Sequence, residues 1–525
     1  MRYIFFTTEN SISPIAQKLE QEGNEVTVAQ IEDLKLTLTS EELKGNTHEE
    51  KPNERKRRLS MGNGLVVNQN AVDVIKAMKK LKPADYFITG DTNAAFAFTE
   101  QALKMGFTGM LTEEKDRMFE VDREAAKEIV EKNYPALEVM EHKEFKTAQE
   151  GVDFLQDTDK TWVLKSLGDS GETIVPKIDD PELASQQLID VLNRDKKAYE
   201  ENGFMLEQKV IDGIELTPQA VFLDGTLVFT DLDIETKTMG SHERGPNKGC
   251  GTNLIVRTNP KDKLNKMAFP KYVHDLAKSR KGIFIIDAGI LFDRNSKRAY
   301  FTEFCFQRFG WDAFPTELSM CDSVASYFES IMKGENPLKR RFGAGVRLFN
   351  LNQDDERYPE PELSVNWKEE AEKDLYLYDV KKSKGKVVTA GFQQDLGVAT
   401  GSGDFLMQAI GKCYENANAI SLKDMYYKSH EDFVSREYPQ SILNRLMFAV
   451  SEGLIEDNGI MQEILSMGDQ GDGSQGVDTM LVTKMIGDYA KKVDVSHKEQ
   501  MQAIRDNHEG QISKIKGLIQ SILEE

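Results

Sequence analysis

Ala299-Tyr300-Phe301-Thr302-Glu303-Phe304-Cys305-Phe306-Gln307-Arg308-Phe309-Gly310 sets one acid, Glu303, in a strand that is otherwise apolar and aromatic. An unpaired carboxylate buried in such a strand is costly. It needs a metal, a cation or a proton. Two readings stay open from these residues. Glu303 forms a structural ion pair with Arg308, or it offers hard oxygen to a Mg²⁺ carried on nucleotide phosphates, with Arg308 as a phosphate clamp.

Upstream, Phe284–Phe292 and Arg298–Phe304 read as a hairpin around Arg294–Lys297. Val221 to Val228 reads as another, around Asp224-Gly225. Further back, Thr161-Trp162-Val163-Leu164-Lys165 is a buried strand ending in lysine, followed by the Ser166–Glu172 glycine/serine loop and a strand at Thr173–Val175. Phosphates need a cation on a rigid element and backbone N–H groups that come close, which glycine permits. A solvated hairpin lysine gives the same local pattern. Phe204 to Leu216 offers a strand, a hinge at Gln208-Lys209-Val210, and Glu215 after Gly213. A hinge can pair with an adenine edge and a carboxylate with ribose hydroxyls; an ordinary hairpin with exposed acids also fits. Lys237–Asn253 carries four glycines, a proline and several donors, which predicts a long ordered loop with His242 as a candidate base or a surface residue.

Outside these motifs, strands at Tyr3–Thr7, Glu25–Val28 and Tyr86–Thr89 alternate with helical spacing at Ser13–Gly23 and Ala71–Leu81. That alternation predicts a mostly parallel sheet covered by helices. A helix is expected over Gly403–Asn418. The stretch from about Ser435 is helical by period, split by a link at Gly468–Gly476. The Met501–Ile522 stripe either docks on its own body or forms a coiled coil, leaving homo-oligomerisation through these helices open.

Composition narrows the function classes. A chain of 525 residues exceeds one ordinary domain and suggests three or four units. A formal charge of −21 argues against a general nucleic-acid binder. The basic run Arg55-Lys56-Arg57-Arg58 is expected in a solvated loop. Cys250, Cys305, Cys321 and Cys413 are scattered, without a CxxC pair, so neither zinc nor a disulfide framework is expected. No apolar run suits a membrane span, and Met1–Ser11 does not suit a signal peptide. A cytoplasmic protein with small-molecule partners is the expectation.

Each motif alone is modest. Their order resembles the ATP-grasp superfamily, and within it glycinamide ribonucleotide synthetase (phosphoribosylamine–glycine ligase). Glu120 to Lys127 resembles that family's E-x-S-K-x-x-x-K helix. Gly245-Pro246-Asn247-Lys248-Gly249, preceded by His242–Arg244, resembles its G-P-N-T-G loop. Ala288-Gly289-Ile290-Leu291 followed by Glu303-Phe304 resembles its A-G-L-M strand leading to E-F-N-x-R-F-G. Lys386–Thr389, Ala409–Tyr414 and Asp424–Lys428 resemble its C-terminal cap. The likeness covers about residues 1 to 433.

The resemblance implies an α/β chain: a Rossmann-like (pre-ATP-grasp) domain over 1–112, an ATP-grasp domain of two small α/β lobes over 113–334, an α+β cap over 335–434, and a helical tail over 435–525. It implies an ATP-dependent carboxylate–amine ligase, of the purine-biosynthesis type, working through an acyl phosphate with ATP and Mg²⁺ (or Mn²⁺). Arg123, Lys165, Gly168, Ser170 and Gly171 would hold phosphates. Gln208, Lys209 and Val210 would pass the adenine, and Glu215 would hold the ribose. His242, Gly245, Pro246, Asn247 and Gly249 would face substrate. Lys237, Arg244 and Arg308 would act at the reaction centre, and Glu303 would bind metal. Departures are visible. Arg123 stands at a usual lysine position, Glu172 follows the loop in place of a lysine, and Cys305 replaces the asparagine beside the metal glutamate. Gln307 is the candidate to supply the missing oxygen through a bulge. The family's D-P-E after R-F-G is also broken up over Trp311–Glu317, so the departures weigh more on the substrate side than on the nucleotide side. They leave two alternatives: a ligase for another amino acid or amine, and a non-catalytic ATP-grasp homologue acting in binding or assembly.

Overall fold

The computed structural model describes residues 1–37, 50–91, 95–111, 113, 116, 119–120, 122–167, 173–306, 313–351 and 362–466. The chain divides into two compact units, Met1–Ile464 and Leu465–Glu525. Nearly all of the second, with its 468–476 link and its 501–522 stripe, lies outside the described residues.

Parallel strands open the chain. β1 (Arg2–Thr7), β2 (Glu25–Gln30), β3 (Asn68–Asn70), β4 (Tyr86–Gly90) and β5 (Thr108–Met110) lie in the order β5-β4-β1-β2-β3. β1 is central, and Tyr3, Ile4, Phe5 and Phe6 are all buried, as a strand covered on both faces requires. The expected helices are present as Ser13–Gln21 and Ala71–Met78. Asn70 caps the second by accepting from Val72 N–H.

The basic run does not lie in a solvated loop. It ends the helix Pro52–Arg58, and Arg58 is 1% exposed. Its Nε and Nη2 donate to Glu50, and its Nη1 and Nη2 donate to the carbonyls of Thr8, Ile31 and Glu32. A guanidinium can be buried when each of its donors finds an acceptor, which is the case here.

Two short pieces follow. β6 (Glu138–Val139) joins the large sheet, while β7 (His142–Phe145), β8 (Trp162–Ser166) and β9 (Phe204–Gln208) form a separate antiparallel sheet ordered β7-β9-β8. Helices Ala148–Gln156 and Pro181–Arg194 share its core through Leu155, Leu188 and Leu192 against Leu164, Phe204 and Leu206. The first helix begins with a Thr147/Glu150 capping box; the second with Asp180 as cap and Pro181 in its first turn. Each buried aliphatic or aromatic side chain contributes about 1.5–3 kcal/mol.

The remaining strands are β10 (Gly213–Leu223), β11 (Thr226–Gly240), β12 (Arg244–Thr258), β13 (Ile283–Asp293), β14 (Ala299–Cys305) and β15 (Phe342–Asn350). They run antiparallel in the order β15-β12-β11-β10-β13, with β14 on β13. Both expected hairpins form. Leu223 faces Thr226 across Asp224 and Gly225, which take φ of 47° and 80°. Ile283 pairs in parallel with Met110, so this sheet and the N-terminal strands are continuous. β6 pairs in parallel with β14. Phe328, on the helix Val324–Met332, lies 5.6 Å from Tyr3 and 4.9 Å from Phe87 and ties that helix to the N-terminal sheet.

Strands Asp395–Gly403 and Leu375–Leu377 extend the sheet beyond β15. The helix expected from Gly403 starts at Leu406, because Gly403 still pairs with Phe342. A further helix, Ile442–Ser451, packs on β10 and β11. No helix among the described residues is long and apolar enough to cross a membrane.

Candidate active site

Lys165 stands opposite Met205 across β8 and β9, so Glu207 is its diagonal neighbour. Lys165 Nζ donates to Glu207 Oε1, and Lys127 Nζ lies 2.7 Å from Glu207 Oε2. Lys127 comes from the helix Arg123–Asn133, which Asp122 caps. All three side chains are nearly buried. Burial pushes Glu207 upward, but Lys165 and Lys127 hold it below the usual carboxylate range. Burial pulls the Lys127 ammonium down, partly offset by Glu207. Two cations are thus held on one carboxylate at the edge of the small sheet.

Across from them, on the large sheet, Lys237 Nζ lies 3.3 Å from Glu215 Oε1 and 3.6 Å from Glu303 Oε1. The expectation that Glu303 is buried is corrected: its side chain is 49% exposed. Phe304 and Phe306 turn into the core, leaving Glu303 on the open face. Protein still surrounds it, so it lines a cleft that solvent reaches. Its carboxyl is held below the ordinary range, first by Lys237, then against burial by Arg123 and Lys165. Glu215 and Glu303 in turn raise Lys237. Lys165, Arg123, Lys237 and Glu215, expected from separate motifs, thus converge on Glu303 and its Lys237 partner. β14 lies close to β13 at a register shift between Ala288 and Ile290, where a Cβ on Gly289 would run into Thr302 Oγ1.

Lys237–Asn253 is not a long loop. β11 and β12 continue as a hairpin to a turn at Ser241–Glu243, where His242 and Glu243 both take φ of 56°. The alternating threonines supply β propensity that the glycines obscured. Arg244, Gly245, Pro246, Asn247 and Gly249 lie exposed on its outer part. Among the described residues no hydrogen bond or ion pair joins Arg244 to the Lys237 cluster. His242 donates its backbone N–H to Asp432 Oδ1 at 3.0 Å and sets its ring edge-on to Tyr438 at 5.1 Å.

At the hinge, Gln208 N–H is taken by Glu141 O and Lys209 N–H by Thr161 O, each at 2.8 Å. Lys209 Nζ meets Pro176 O and Asp179 Oδ1, both at 2.8 Å. Val210 follows in the link to β10. Gly168, Ser170, Gly171, Gln307 and Arg308 lie outside the described residues.

Several residues at this site carry roles that the motifs did not assign. Lys127 and Glu207 complete the Lys165 cluster. Lys428 is fully buried, with Nζ 2.8 Å from Thr236 Oγ1, and burial lowers its pKa. Arg445 is buried and donates to the carbonyls of Glu215 and Glu235. An acid inside an apolar run was a usable signal for Glu207. Lys428 and Arg445 carry no such signal, because hydroxyls and backbone carbonyls are their partners.

The donor set allows a limited test of metal binding. No group of three or more His, Cys, Asp or Glu residues suited to a metal occurs among the described residues. An all-protein cage is therefore not what they provide. A magnesium ion arriving on nucleotide phosphates keeps several waters and needs only one or two carboxylates, which Glu303 fits.

No family model matches the chain, and no curated protein matches it. Solved structures do. Phosphoribosylamine–glycine ligase from Thermotoga maritima superposes with a TM-score of 0.55 at 15% identity, over 82% of this chain and 99% of that one. Biotin carboxylase from Campylobacter jejuni, a complex with β-γ-ATP, gives 0.52 at 11%, over 89% and 98%. The biotin carboxylase domain of Hydrogenobacter thermophilus 2-oxoglutarate carboxylase, with MgADP, ADP and bicarbonate, gives 0.50 at 10%, over 90% and 99%. Identities this low establish architecture alone. At that level the likeness expected from the motifs holds: the chain has the ATP-grasp fold, as in phosphoribosylamine–glycine ligase and the biotin carboxylases.

Proposed function

We propose that this chain is an ATP-dependent ligase that activates a carboxylate and joins it to an amine. The observation that carries the reading is Glu303 in an open cleft with its charge set by Lys237, Arg123 and Lys165 together. The named solved neighbours, a ligase and two carboxylases, are consistent with it. In this reading Lys165 and Arg123 hold phosphates, and the loop with Gly168, Ser170 and Gly171 covers them. Glu215 holds ribose, and Gln208, Lys209 and Val210 border the adenine. Glu303, with Gln307, would hold Mg²⁺ (or Mn²⁺), which supplies neutralisation of phosphate charge. Lys237 orients Glu215 and Glu303, and Arg308 and Arg244 hold the transferring group. A carboxylate takes the γ-phosphoryl group and ADP leaves; the amine then displaces phosphate at the acyl carbon. Positioning and charge neutralisation carry such a reaction.

The motifs favour a phosphoribosylamine–glycine ligase-like activity. One observation favours another amine acceptor. The order β5-β4-β1-β2-β3 puts the topological switch point between β1 and β4, where open α/β sheets bind ligands beyond the strand ends. The residues there are Thr7 at the end of β1, Thr8, Glu9, Asn10 and Ser11 after it, and Asp91 after β4. Burial pushes Glu9 up to about 7 and Asp91 up to about 6, and Asp91 also raises Glu9. Five acceptors already occupy the Arg58 guanidinium nearby. Among the described residues of these strand ends the charged groups are the two carboxylates Glu9 and Asp91, which suit an unphosphorylated amine better than a phosphate.

Two measurements test the proposal. Titration calorimetry should detect MgATP binding, and its absence at millimolar nucleotide defeats the ligase reading. An ADP-release screen then compares glycine plus phosphoribosylamine with other amino acids and unphosphorylated amines. Release only with the first pair selects the narrow reading. Binding without turnover on any pair selects the non-catalytic alternative.

A further inference from the structure

We propose that Arg445 is a positioning residue of the nucleotide cleft, acting through the Glu215–Lys237 pair. The inference rests on the ligase reading and concerns a part of the chain beyond about residue 433, where the family likeness ends. The helix Ile442–Ser451 lies against β10 and β11. Ser441 caps it by accepting from Asn444 N–H. From its middle, Arg445 reaches inward and is 5% exposed. Nη1 donates to Glu215 O at 3.4 Å, and Nη2 donates to Glu235 O.

Those two carbonyls are informative. Glu215 is one carboxylate partner of Lys237, and Glu235 precedes Lys237 by two residues on β11 and also raises it. One guanidinium thus fixes both backbones at the place where the carboxylate–ammonium pair stands. Gln440 Nε2 donates to Gly213 O at 2.8 Å and adds a hold two residues earlier on β10. The same segment also holds the far end of β11, through Asp432 on His242 N–H and the Tyr438 ring. Burial lowers Arg445, opposed by Glu215, Tyr438, Glu243 and Glu235. A planar fork bridges two carbonyls in a way a single ammonium does not.

The test uses the full chain and MgATP calorimetry, with thermal unfolding in parallel. R445M should weaken MgATP binding about tenfold, as loss of a supporting partner does at other ligand sites. R445K should recover part of that affinity. Phe448 lies on the same helix with its ring 5.8 Å from Phe292, and neither residue of the pair is its ring partner. F448L should lower the melting midpoint and leave MgATP affinity unchanged. Wild-type affinity in R445M overturns the inference alone. So does a loss of affinity in both R445M and F448L that follows their loss of thermal stability. A wild-type chain that takes up no MgATP overturns the ligase reading and this inference with it.

Discussion

Lys127 Nζ lies 2.7 Å from Glu207 Oε2, while the other oxygen of that carboxylate receives Lys165. One buried acid is therefore the shared countercharge of two buried cations, each on a different element. Burial alone disfavours the charges of Glu207 and Lys127. The arrangement persists because the geometry satisfies all three groups at once.

Glu207→Gln removes the shared countercharge and leaves two ammonium groups in a buried place. The expected loss is about 3–5 kcal/mol, the usual result of removing one partner from a buried ionic group. Bound phosphates would restore a countercharge near Lys165. MgATP should therefore raise the melting midpoint of E207Q more than that of wild type. Equal upshifts in the two proteins would show that nucleotide does not approach these lysines.

Lys237 is the first cause of the depressed Glu303 carboxyl. In Lys237→Met the opposing effect of burial is less well balanced, with Arg123 and Lys165 remaining. The Glu303 titration should move upward, as read by carboxyl-carbon NMR, with no large stability change, since Glu303 is half-exposed. Glu303→Ala should abolish ADP release on whatever pair the screen identifies, while the fold stays intact. An unmoved Glu303 titration in K237M argues that solvent, not Lys237, sets its charge.

The same argument about acids in apolar strands holds for one residue and fails for another. Phe204-Met205-Leu206-Glu207 and Phe301-Thr302-Glu303-Phe304 look alike as sequence. Both faces of β9 are covered, so Glu207 is buried; one face of β14 opens on the cleft, so Glu303 is not. Alternation assigns faces, and only the tertiary neighbours decide which faces are covered. The parallel N-terminal strands and the two hairpins were legible because periodicity and Asp-Gly chemistry are local. Lys165, Lys237, Glu215 and Glu303 were legible by motif order. Arg445 was not, because its helix shows only an amphipathic period and its acceptors are main-chain oxygens that any residue carries.

The strand ends at β1 and β4 should impose a pH dependence. Glu9 is raised from 4.5 to about 7, chiefly by burial and then by Asp91; Asp91 is raised from 3.8 to about 6 by burial. A raised carboxyl binds its proton more tightly in the folded state. Its contribution is complete below the unfolded value and is lost as pH rises through the folded one. These groups should therefore make the melting midpoint fall between about pH 4 and pH 7. Glu9→Gln should flatten the upper part of that fall. A slope identical to wild type would place Glu9 in water in the folded protein.

Arg58 decides between two descriptions of its helix. If the basic run were a solvated patch, Arg58→Met would change stability by within about 0.5 kcal/mol, as at other surface sites. The structure instead puts Arg58 at 1% exposure, donating to Glu50 and to the carbonyls of Thr8, Ile31 and Glu32. R58M leaves the carboxylate and three carbonyls without their donor, and the expected loss is about 3–5 kcal/mol in denaturant unfolding. R58K should recover less than half, because three donors on one nitrogen cannot meet the same fork of acceptors. The Arg58 cation also lowers Glu9, so R58M should move the Glu9 titration further up. A stable R58M with an unchanged Glu9 titration contradicts the buried placement of Arg58.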